Sequence, residues 1–71
     1  MKPLYDGYSY KDLMMERQIH TDVANTARAA LRNPRLTYED SLVLKRNIET
    51  ARLTLSAIDD LVLVRFPENV A

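Results

Sequence analysis

Glu16 and His20 stand four residues apart, the spacing that stacks two side chains on one face of a helix. A carboxylate and an imidazole so placed can share a hydrogen bond or begin a metal site. A metal needs two or three further ligands, and Asp12 is the only other acid near the pair on that side. Carboxylate-bridged helical bundles use Glu-x-x-His with separate Glu residues, a pattern this chain lacks. No metal and no cofactor are expected. The pair reads instead as a boundary ion pair that fixes helix register and makes association sensitive to the protonation of His20.

Arg17, Arg28 and Arg32 recur on one helix face with Thr21 and Asn25 between them, and Arg35 extends the line. The line contains no acid. Arginine throughout suits bidentate contact with carboxylate or phosphate, so an acidic protein or a nucleic-acid backbone is the partner this face would take. The plainer reading of four arginines on a helix is a solvated face. Tyr5, Tyr8 and Tyr10 cluster near the N-terminus, with Tyr38 further on. Tyrosine offers large contact area at low entropic cost, so this aromatic arm either binds a partner or folds back over the end of a bundle. Glu39, Asp40, Glu49, Asp59 and Asp60 make the second half of the chain acidic, complementing the arginine line and favouring antiparallel self-association.

Catalysis finds no support. Ser9, Ser41 and Ser56 have no histidine within helical reach, and a hairpin of this size offers no pocket of its own. The chain has 71 residues and no cysteine, so neither a disulfide nor a thiolate metal site can staple it. Ten basic and ten acidic residues cancel, unlike the strongly basic balance of a dedicated nucleic-acid binder. The opening residues contain no apolar signal core, and no apolar run approaches the roughly 18 residues of a membrane span. A cytoplasmic protein without membrane attachment is expected.

The elements that must carry these residues are helices. Pro3 and Gly7 make residues 1–8 an arm. Ser9-Tyr10-Lys11-Asp12 is a capping box, with Tyr8 and Leu13 at the hydrophobic-staple positions around it. Helix 1 then runs over 9–32 and stops before Pro34. Its apolar side carries Ile19, Val23, Ala27, Ala30 and Leu31, flanked by Leu13 and Ala24, and the alanines invite close packing. Residues 33–36 form a turn, and Thr37-Tyr38-Glu39-Asp40 is a second capping box. Helix 2 spans 37–66 and is stopped by Pro67, leaving 67–71 as a tail. The one competing possibility is a short strand over Leu61-Val62-Leu63-Val64.

Leu44, Ile48, Ala51, Leu55, Ile58 and Val62 follow a 4-3-4-3-4 heptad seam along helix 2. A second apolar line, Leu53, Ala57, Leu61 and Val64, lies well round the helix from the first. A single partner helix covers only one of them, so an antiparallel hairpin should dimerise into a four-helix bundle or complete one with a partner's helices. The longer helix 2 should be covered past Ile58 by Leu4, Tyr5, Tyr8 and Tyr10 of the arm. Residues 1–71 thus form one all-α domain. The expected function is a non-enzymatic protein-interaction or regulatory module, with Leu44, Ile48, Ala51, Leu53, Leu55, Ile58, Leu61 and Val62 as its interface. The alternative is a nucleic-acid-binding hairpin dimer using the arginine face.

Overall fold

A computed structural model describes residues 5–69 as an antiparallel helical hairpin, α1 (Tyr10–Ala30) and α2 (Tyr38–Arg65), followed by a single 3₁₀ turn over Pro67–Asn69. Leu4, part of the expected cover for the end of helix 2, lies outside the described residues.

Each helix begins where a hydroxyl can cap it. The Asp12 N–H donates to Ser9 Oγ at 3.1 Å and the Ser9 N–H donates to Asp12 Oδ2 at 3.1 Å, so the first capping box is complete. At Thr37 only half of the box forms. Its hydroxyl accepts from the Asp40 N–H at 3.1 Å, and no return bond to Asp40 is made among the described residues. The connection is tight because Leu31 still holds a helical φ of −64°, and the Arg32 and Asn33 N–H groups bond back to Ala29 and Ala30. Asn33 Oδ1 then accepts from the Arg35 N–H at 3.0 Å, an Asx turn that reverses the chain. The segment Leu61-Val62-Leu63-Val64 is helical, as the heptad requires, and α2 ends one residue before Phe66-Pro67.

The heptad seam of α2 packs within the chain. Ala51, Ile58 and Val62 are buried and Leu44, Ile48 and Leu55 half-buried, which places the seam against α1 rather than leaving it free for another molecule. The facing stripe of α1 keeps the expected Ala27 and its flanking Leu13 and Ala24 but leaves out Ile19 and Val23. Leu13, Ala24 and Ala27 are the buried residues, whereas Ile19 is 52% and Val23 44% exposed. Small side chains win this contact because they let the two backbones approach closely enough to enclose the larger residues of α2.

The arm caps the open end. Leu13, Ile58 and Val62 form the core there, with Tyr5, Tyr10, Met14, Leu61 and Phe66 packed against it, and the Tyr10 and Phe66 rings meet edge-on at 6.0 Å. Tyr5 accepts at its backbone oxygen from Arg65 Nη1 at 2.8 Å and from the Tyr8 N–H at 3.2 Å. Closing that turn needs positive φ at Gly7 (79°), which glycine tolerates, and at Tyr5 (57°), which strains it. The contacts of Tyr5 with Arg65 and the core hold that strain in place.

Candidate interaction surface

The residues with chemical character sit on two sides of a thin hairpin. On one side, Arg17 Nε donates to Asp59 Oδ1 at 2.9 Å across the helix pair, between two exposed side chains. This corrects the arginine face. Arg17 is not free on an outward surface but occupies a position in the α1 seam, since Leu13, Arg17, His20, Ala24, Ala27 and Leu31 follow the same 4-3-4-3-4 spacing as the seam of α2. Arg28 donates to Asn25 Oδ1 at 3.3 Å, and Arg32 and Arg35 lie in the turn beyond the helix. The acids of α2 are complementary to α1, as expected, but Asp59 is used inside one chain. Glu49 is likewise engaged locally, by Arg52 at 2.6 and 3.1 Å, and the guanidinium holds that carboxyl below its usual range.

On the other side, Glu16 and His20 meet as their spacing requires. His20 Nε2 lies 3.4 Å from Glu16 Oε2 and 3.4 Å from the Tyr5 hydroxyl. One nitrogen cannot serve both in the same way: protonated, it donates to the carboxylate, and bare, it accepts from the phenol. Burial pushes the Tyr5 phenol above its ordinary 10.0, with the nearby Glu16 carboxylate and then Tyr8 adding to the effect. Tyr8 stacks edge-on against Tyr5 at 5.1 Å, so the aromatic arm is organised around this pair. No group of three or more His, Cys, Asp or Glu side chains among the described residues could hold a metal.

Above the arm, open grooves run between the helices. Val23, Thr26, Ala27 and Ala30 of α1 face Leu44 and Asn47 of α2, and next to them His20 and Val23 face Arg46, Asn47, Thr50 and Ala51. A third lies beside the arm, lined by Tyr8, Asp12, Met15, Glu16 and Ile19. These grooves mark one continuous side of the hairpin. Val43, Asn47, Thr50, Thr54, Ala57, Leu61 and Val64 follow a 4-3-4-3-4-3 spacing along it, a second heptad row in α2. Ala57 and Leu61 belong to the expected second apolar line and are half-buried, while Leu53 is 56% and Val64 78% exposed. Val43, Asn47, Thr50, Ile19 and Met15 are absent from the expected interface. The signal of Val43, Asn47 and Thr50 is legible as this second heptad phase of α2, masked by the threonines and asparagine that interrupt its hydrophobicity, and Ile19 already belongs to the expected apolar side of helix 1.

Large exposed side chains outnumber the core. Ten large hydrophobic residues are exposed among the described residues, against six buried hydrophobic residues of which three are alanines. No described helix is long and apolar enough to cross a membrane, so the exposed stripes are not spans. Comparison with protein-family models, with curated proteins and with solved structures returned no match.

Proposed function

We propose that the chain is a cytoplasmic, non-enzymatic protein-interaction module that works as one layer of a helical bundle, the other layer being supplied from outside the hairpin. The observation that carries this reading is shape. The Cα extents are 46 × 30 × 15 Å, a slab one helix thick, and its radius of gyration is 14.9 Å. A compact 71-residue chain has a radius of gyration of about 11 Å. Domains bury their apolar stripes between two packed layers, and this hairpin supplies one. The grooves between the helices are lined by aliphatic groups, threonines, an asparagine, His20 and Arg46, and among the described residues no threonine hydroxyl is hydrogen-bonded to His20 as an activated nucleophile would be. The nucleic-acid alternative is weakened because Arg17 is paired with Asp59, which leaves Arg28 and two turn residues as its surface.

The test places a photo-crosslinking amino acid at Val23, on the grooved side, or at Ser56, away from it, and irradiates cells of the native host. Val23 is expected to give a protein adduct of discrete mass, and Ser56 to give none. No protein adduct from Val23, or equal adducts from both positions, would contradict the reading.

A further inference from the structure

The grooved side indicates the chemistry of what covers it. Val43, Asn47, Thr50, Thr54, Ala57 and Leu61 of α2, with Ile19 and Val23 of α1, are uncharged, while the grooves are also lined by Arg46 on α2 and by Asp12, Glu16 and His20 on α1. A surface shaped for a strongly acidic or basic partner presents one sign of charge, and this one carries both signs among methyl groups, hydroxyls and an amide, a mixture that a copy of itself complements. Hydroxyls and primary amides both donate and accept, so a copy of the same face satisfies them. A two-fold interface sets one patch against itself and needs this self-complementarity.

The areas agree. The chain exposes 5581 Å², whereas a compact protein of its 8.2 kDa exposes about 4,500 Å². The surplus of roughly 1,000 Å² matches the roughly 800 Å² each partner buries in a standard interface.

We propose that a second copy of this chain docks face to face on the Ile19 and Val23 side, and that the two hairpins close a four-helix bundle with the Asn47, Thr50 and Thr54 row at the new interface. This rests on the reading of the chain as a bundle layer and names the missing layer. The polar row weakens the contact relative to an all-leucine one and in exchange selects register, the use to which a seam asparagine is put in coiled coils.

The chain has no cysteine, so an introduced one reports a single position. The purified full chain is compared as Asn47→Cys, Thr50→Cys, Thr54→Cys and Ser56→Cys under mild oxidation, and sedimentation velocity is run on the native chain, Val23→Glu and Ser56→Glu. At least one of the first three cysteines should yield a disulfide-linked species of twice 8.2 kDa at least tenfold faster than Ser56→Cys. Val23→Glu should weaken association tenfold or more, and Ser56→Glu should leave it unchanged. Equal crosslinking at Ser56→Cys, or association indifferent to Val23→Glu, overturns the proposed face. A purified native chain that stays at 8.2 kDa overturns the second copy. If the Val23 photo-adduct to another protein still forms in the host, the bundle-layer reading survives that failure, and if it does not, both fall.

Discussion

His20 Nε2, held 3.4 Å from both the Glu16 carboxylate and the Tyr5 hydroxyl, links the arm to the hairpin. The spacing of Glu16 and His20 is readable in the sequence because a helix stacks i and i+4. Tyr5 as their third member is not, since its arrival depends on a turn closed fifteen residues away with positive φ at Tyr5 and Gly7. Arg17 departs from expectation for a related reason: charge suggests a solvent face, whereas its heptad position lies beside the helix contact, opposite Asp59. At this scale the prediction concerns Tyr5. Its phenol is raised above 10.0 by burial first, then by Glu16 and Tyr8, so the neutral form is the one that docks. A pKa raised in the folded state contributes stability that is whole below the unfolded value and lost as pH climbs through the raised one. Arm docking should therefore be intact at neutral pH and fail only beyond pH 10. Isotope-labelled tyrosine NMR through an alkaline titration should show Tyr5 ionising above the ordinary 10.0. Tyr5 ionising at or below that value would mean that the arm is not packed against the helices.

At the scale of the helix, boundaries and the phase of α2 are legible in the sequence, and the rotation of α1 is legible only in part. Ser9, Thr37, Pro34 and Pro67 place starts and stops through hydrogen bonds and sterics confined to a few residues. Which stripe of α1 meets α2 is a contest between burying more apolar surface, through Ile19 and Val23, and approaching more closely, through Ala24 and Ala27. Hydrophobicity alone points to the first, and packing selects the second. In α2 the seam containing Ala51, Ile58 and Val62 has the expected phase, although the surface it meets is α1 of the same chain. Ile58 is 0% exposed, so Ile58→Asp puts an unpaired carboxylate in the core at a cost of at least several kcal/mol. Native stability is about 5–15 kcal/mol for whole domains, and this core is near the low end. Ile58→Asp should abolish the cooperative melt followed by circular dichroism, and Ser56→Asp, on the exposed side, should shift it little. Similar melts for the two variants would show that α2 turns a different face toward α1.

The whole molecule is defined by what it leaves uncovered. Six residues are buried among the described ones, and a slab 15 Å thick encloses no second layer. The arm closes one end, where Leu61 packs against the core, but Val43, Asn47, Thr50 and Val64 of the second row and the side chains of Met15, Ile19 and Val23 are exposed. That α2 carries more apolar surface than one partner helix can cover is legible from two apolar lines on one helix. Which line stays open depends on the intramolecular contact, and so on the rotation of α1. A core this small supplies roughly 3–5 kcal/mol, so folding and association should be coupled. Sedimentation equilibrium of the intact chain from sub-micromolar to high micromolar concentration, with helicity measured by circular dichroism at each point, tests this most directly. A species of twice 8.2 kDa whose helicity falls in step with its dissociation is the expected result, and an 8.2 kDa species fully helical at every concentration would contradict the coupling.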